Sequence, residues 1–146
     1  KLVTLVRQNA TRIAEEQGRD FVLVHGPPGL GCPVIASLAD IDMAMVVVEP
    51  TLSGIHDLER ALGLLDHFEI TPLVCVNKYD LNLENTQQIQ GYCSKNNVQM
   101  LDGIPFDSRI VEALVNAMPI VDYDPDTNAS IALKKMWREL REILEL

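Results

Sequence analysis

Apolar positions along this chain keep two rhythms, one helical and one extended, and they alternate. Leu2, Val3, Val6, Ala10, Ile13 and Ala14 recur every three or four residues over 2–16, which predicts an amphipathic helix closed by Gly18. Residues 20–25 form a short apolar run containing Val22 and Val24, too short for a helix and read as a buried strand. A Gly/Pro loop and a short helix near 34–39 follow. "MAMVVVEP", residues 43–50, predicts a second buried strand stopped by Pro50. Ser53 is placed to cap a helix reaching about Phe68, with Ile55, Leu58, Leu62, Leu65 and Phe68 on one face.

The second half repeats the alternation. "PLVCVNKYD" gives a third strand and a loop, then a polar helix from about Leu83 to Lys95. "NVQMLDGIPFD" gives a fourth strand and its loop, and a helix follows at about 108–117. The linker "MPIVDYDPDTN" leads to a last helix, 129–146, with Leu133, Met136, Trp137, Leu140, Ile143 and Leu144 on one side. Continuously apolar strands, each followed by a helix, imply an α/β fold: a mostly parallel sheet with helices on both faces. In such sheets ligands bind beyond the carboxyl ends of the strands. The loops at those ends, 26–33, 50–53, 77–83 and 103–108, hold most of the Gly and Pro residues, so the site is expected there.

Bulk properties narrow the classes. The chain has 146 residues, enough for one domain over 1–146 with a sizeable core. A net charge of −9 argues against broad contact with nucleic acid or an anionic membrane. It leaves a local anion site open, because main-chain N–H groups bind phosphate without net positive charge. No apolar run reaches about eighteen residues, so no membrane span is expected. Cys32, Cys75 and Cys93 are an odd, widely spaced set without C-x-x-C, which suits a reducing, cytoplasmic setting. Cys75, inside an apolar strand, reads as a small core hydrophobe. His25 and Cys32 lack further ligands at usable spacing, so no metal site is expected. The chain opens on Lys1 and runs straight into a helix, as expected of a piece of something longer or of a chain that has lost a leader.

Chemistry concentrates in two loops. "FVLVHGPPGLGCPV", residues 21–34, places Gly26 and Gly31 as in a phosphate-binding G-x-x-x-x-G-K-[ST] loop. Cys32 and Pro33 stand where that motif needs the Lys that bridges the terminal phosphates and the hydroxyl that binds Mg²⁺. Pro33 also removes an N–H, so the stretch fails as a phosphate loop. It can still serve as the glycine-rich loop that faces a γ-phosphate, although His25 sits where an Asp is expected to hold the Mg²⁺ water. The second loop is Asn77-Lys78-Tyr79-Asp80. N-K-x-D directly after an apolar strand is a base-recognition motif: the Asn ties neighbouring loops, the Lys stem lies over the base, and the Asp accepts from a base edge. A strand end with Asn and Asp capping the next turn is the competing structural reading.

Taken together, "LVTLVRQNATRIAEE", "FVLVHGPPGLGCPV", "VVVEPTLSGIHDLERAL", "LVCVNKYDLN" and "IPFD", in this order and spacing, resemble the C-terminal half of a MinD/ParA-type P-loop ATPase. The closest resemblance is to the MinD-superfamily subgroup with an inserted ferredoxin domain. It covers Lys1 to about Tyr123, and the last helix is less distinctive. The resemblance implies that Gly26, Pro27, Pro28 and Gly29 form switch II, the γ-phosphate sensor. Asn77, Lys78 and Asp80 would hold the base, Pro105, Phe106 and Asp107 would close over it, and Glu49, Pro50 and Thr51 form the loop after the next strand. Asp80 departs in one respect, since a carboxylate there favours guanine whereas the family favours adenine.

The family's cofactor is ATP with Mg²⁺. Its phosphate loop and its iron–sulfur cysteine clusters lie upstream of the stretch that this chain resembles, so these residues are expected to bind ATP weakly and not to catalyse alone. In the family the phosphate-loop strand lies between the strands matching 20–25 and 43–49. Without it a gap of roughly 10 Å separates them, so they must pair directly or accept an element from another copy. A homodimer or larger assembly, with the N-terminal helix or first strand exchanged or repositioned, is the expected partner state. The alternative is a non-catalytic interaction or regulatory module that retains the half-domain fold.

Overall fold

A computed structural model describes residues 2–145. Three of the apolar runs find partners and become strands: β1 (Met43–Val48), β2 (Thr71–Val76) and β3 (Gln99–Met100), in the order β1-β2-β3 and all parallel. Helices α1 (Leu2–Glu16), α2 (Cys32–Leu38), α3 (Leu52–His67), α4 (Leu83–Lys95), α5 (Arg109–Val115), α6 (Ile120–Tyr123) and α7 (Asn128–Ile143) fill the connections. Each pair of neighbouring strands is joined by one helix, α3 and then α4, as parallel strands require.

Side-chain alternation in β2 sorts the core into two layers. Val74 and Val76 point to the α3/α4 side and pack with Val48, Leu58, Leu62, Leu65, Ile89 and Cys93. Leu73 and Cys75 point the other way, into a cluster with Leu101, Ile104, Ala129 and Met136 under α7. Leu73 and Val74 are fully buried, so each contributes about 1.5–3 kcal/mol through removal from water. The expected α/β architecture with helices on both faces is therefore what the chain adopts.

The run at 20–25 does not behave as expected. It is extended but pairs with nothing, and Phe21, Val22, Leu23 and Val24 are 44, 38, 85 and 37% exposed. A strand is defined by its ladder, and apolar β-formers alone do not make one. Among the described residues, direct pairing with β1 does not occur and the outer edge of β1 has no neighbouring strand. One face of β1 is correspondingly open, with Met45 39% and Val47 53% exposed. Phe21 instead meets Trp137 of α7, ring centroids 5.9 Å apart.

Element ends follow local chemistry. Thr51, not Ser53, caps α3: its hydroxyl accepts from the Gly54 N–H at 2.9 Å. Asn82 caps α4 in the same way through Asn85 N–H, and α4 has the bounds its pattern predicts. Pro33 sits in the first turn of α2, where its missing N–H costs nothing. The linker expected between the last two helices contains the single-turn α6. Buried Arg7 ties α1 to the turn before β1 through Asp40, Nη2 to Oδ2 2.9 Å. Among the described residues no helix is long and apolar enough to cross a membrane.

Candidate functional site

The carboxyl ends of the three strands bring three loops together, and the bonds between them are numerous. After β1 the chain turns tightly at Glu49, with Thr51 N–H donating to Glu49 O at 2.8 Å. Gly54 makes that turn possible: a Cβ there would lie 2.3 Å from Glu49 O. After β2, Asn77 N–H donates to Val48 O at 2.8 Å, which fastens this loop to the end of β1. Lys78 adopts a left-handed conformation, φ 55°, and its ammonium reaches back to Glu49 Oε1 at 2.6 Å. The ion pair is half exposed, so its value is positional more than energetic.

The third loop is stitched to the second. Ile104 N–H donates to Val76 O at 2.9 Å, and Tyr79 N–H donates to Ile104 O at 3.2 Å. Asp80 Oδ1 accepts from Phe106 N–H at 2.7 Å. Asp107 turns the chain into α5 by accepting from Arg109 N–H at 2.9 Å. Gly103 admits the Tyr79 ring, because a Cβ would stand 2.9 Å from Tyr79 Cδ1 and 3.2 Å from Val76 O. The first turn of α4 completes the brace: buried Asn85 donates to Pro50 O at 3.0 Å, and buried Thr86 donates to Tyr79 O at 2.7 Å.

The structure thus gathers Asn77, Lys78, Asp80, Pro105, Phe106 and Asp107 on one rim with Glu49. Gly26, Pro27, Pro28 and Gly29 stand apart. They are exposed, Gly29 has φ 92°, and among the described residues no hydrogen bond joins them to that rim. Their loop instead feeds α2, where Val34 and Ile35 N–H groups donate to Gly31 O. His25 and Cys32 are both exposed, and among the described residues no group of three His, Cys, Asp or Glu could hold a metal ion.

Sequence reading passed over Gly54, Gly103, Asn85 and Thr86, which shape this rim. A signal existed for each: a Gly in the first turn of a helix, an Asp-Gly pair just past a strand, and uncharged polar residues in the first turns of α4. Beneath the rim, the Cys75 thiol donates to Asp102 O at 3.5 Å and burial pushes its pKa up to about 11. The Asp102 carboxyl is held below the usual range, first by the hydrogen bond from Lys135. Two open clefts of about 340 and 430 Å³ lie on the α7 side and share no residue with the three loops. The rim, not a cavity, is where the chemistry-bearing side chains meet.

Fold and rim can now be set beside known proteins. No protein-family model matches the chain. An uncharacterized protein of Methanocaldococcus jannaschii is 28% identical over 144 residues, covering 99% of this chain and 46% of that protein. The septum site-determining protein MinD of Bacillus subtilis is 27% identical over 130 residues, covering 86% of this chain and 48% of MinD. The chain is related to the MinD/ParA-type ATPases. It spans about half the length of the curated relatives it matches. Among solved structures, the MinC:MinD cell division protein complex of Aquifex aeolicus superposes with TM-score 0.78 at 24% identity, over 96% of this chain and 59% of that one. MinD of Pyrococcus horikoshii, complexed with Mg-ADP, superposes with TM-score 0.72 at 24% identity, over 85% of this chain and 51% of that one. At these identities the superpositions speak for the fold, a P-loop NTPase-like α/β sheet.

Proposed function

We propose that this chain supplies the base-binding end of a MinD/ParA-like nucleotide site, with ATP and Mg²⁺ as the ligand. The observation that carries the reading is the braced rim: the N-K-x-D loop and the Pro105–Asp107 loop are hydrogen-bonded together at the carboxyl ends of parallel strands, where such folds bind ligands. The relationship to MinD, one of whose structures holds Mg-ADP, supplies the ligand class. The residues present fit a purine at one end. Phe106 is half exposed and free to stack, Pro105 flanks it, and the Lys78 stem is stretched between two loops by Glu49.

The phosphate end does not fit within these residues. Cys32 and Pro33 replace the cation and hydroxyl of a phosphate loop, and the 146 residues contain no G-x-x-x-x-G-K-[ST]. Gly26–Gly29 would act as the sensor loop only once the phosphates are held from elsewhere. The chain alone therefore binds ATP at millimolar Kd or weaker and does not hydrolyse it. An intact site commonly reaches micromolar, about −8 kcal/mol, much of it from phosphate contacts. Calorimetric titration with Mg·ATP tests this: a micromolar constant with turnover would overturn the phosphate argument. Family iron–sulfur chemistry has no counterpart in the proposal, and the cytoplasm is the proposed compartment.

The unpaired edge of β1 and the exposed run at 21–24 favour a second property, self-association. A homodimer or larger assembly through that edge is proposed, and it also suits the reading as a non-catalytic interaction module. Light scattering over a dilution series decides it: a monomer at micromolar concentration removes the assembly.

A further inference from the structure

The hydrogen bond between Asp80 and Phe106 bears on a question that the motif alone leaves open. In an N-K-x-D loop that reads guanine, the carboxylate presents both oxygens to two adjacent donors on the base edge. Here Oδ1 is directed at the Phe106 N–H at 2.7 Å, a short, charge-assisted bond. The local chain explains why. Tyr79 N–H and Ile104 O continue the contact between the two segments one step past Ile104 N–H and Val76 O. After Tyr79 the main chain winds into a single 3-10 turn, Tyr79–Leu81, entered through Lys78 in the left-handed region. Pro105 has no N–H, so Phe106 is the next donor on its side, and among the described residues its acceptor is a side chain, not a main-chain carbonyl. The Asp80 side chain supplies the missing acceptor.

Resting on the nucleotide-binding reading above, we infer that Asp80 is a positioning residue that fastens the base-covering loop through Phe106, and does not read a base edge. With Oδ1 directed at the Phe106 N–H, one of the two oxygens that a paired approach to guanine uses is already engaged. Selection among purines then passes to the Phe106 ring and the main chain of 104–107. Asp107 Oδ1 is likewise engaged, accepting from Arg109 N–H at 2.9 Å.

The test is carried out on the ¹⁵N-labelled 146-residue chain with the variants Asp80→Ala and Asp80→Asn. Amide exchange at Phe106 reports the staple with or without nucleotide. Asp80→Ala is expected to speed that exchange at least tenfold, whereas Asp80→Asn, whose carbonyl still accepts, keeps it within about threefold. Unchanged Phe106 exchange in Asp80→Ala overturns the staple. Chemical-shift titrations with ATP and with GTP read discrimination, and Asp80→Asn is expected to change the ratio of the two affinities less than threefold. A tenfold selective loss of GTP in Asp80→Asn overturns the inference and makes Asp80 a base reader. If neither nucleotide shifts any rim resonance in the parent chain, the nucleotide reading falls, while the exchange result still decides the staple.

Discussion

Replacing Gly54 by Ala sets two known effects against each other within one helix. Ala is favoured over Gly in a helix by about 1 kcal/mol, and Gly54 lies in the first turn of α3. Position 54, however, has no room: the new Cβ would fall 2.3 Å from the Glu49 carbonyl oxygen, 3.0 Å from Thr51 Oγ1 and 3.3 Å from Val48 Cγ2. The nearest of these is main chain and cannot rotate away, so α3 must tilt off the β1 loop. That movement breaks the Thr51 cap, worth about 1 kcal/mol, and adds an overpacking cost of about 1–3 kcal/mol. The losses exceed the gain, and the net effect is a destabilisation of about 1–3 kcal/mol. Gly63, in the same helix, is the control: nothing lies within 4 Å of a Cβ there, so Gly63→Ala is expected to stabilise by about 0.5–1 kcal/mol. Urea unfolding followed by circular dichroism gives both differences, the chain being short enough for a two-state treatment. The reasoning is refuted if Gly54→Ala is as stable as the parent, or if the two variants shift in the same direction.

Further outcomes follow from the core, the thiols and the open edge. Leu73→Ala removes a fully buried side chain at the centre of β2 and is expected to cost about 3–5 kcal/mol, read from the urea midpoint at unchanged slope. At pH 8 a thiol reagent is expected to modify Cys32 alone in the folded chain, because Cys75 and Cys93 are buried with raised pKa values, and all three after unfolding. The Cys75 thiol, at about 11 when folded against 9.0, holds its proton longer than in the unfolded chain. Its contribution is therefore complete below pH 9 and is lost as pH rises toward 11, so stability measured across that window is expected to decline. If β1 is the assembly edge, Val47→Lys is expected to lower the associated fraction at a given concentration, as light scattering would show; an unchanged fraction places the contact elsewhere.

The sequence by itself determined what depends on neighbours in the chain. Helical spacing placed α1 and α4 to the residue, apolar runs placed β1 and β2, and the N-K-x-D string marked the loop after β2, because periodicity and punctuation are local properties. Only the tertiary structure decided which partners each segment meets. The run at 20–25 has strand composition yet no ladder, since a ladder needs a neighbouring strand that the fold does not place beside it. Thr51 prevailed over Ser53 as a cap through the turn that Glu49 and Gly54 form together. The charged members of the N-K-x-D string were legible as residues, but the contacts they make were not. Lys78 pairs with Glu49 29 residues away, and Asp80 with Phe106 26 residues away. A side chain's bonding depends on what the fold brings within about 3 Å of it, and that distance is set by the packing of three strands, not by the spacing of letters.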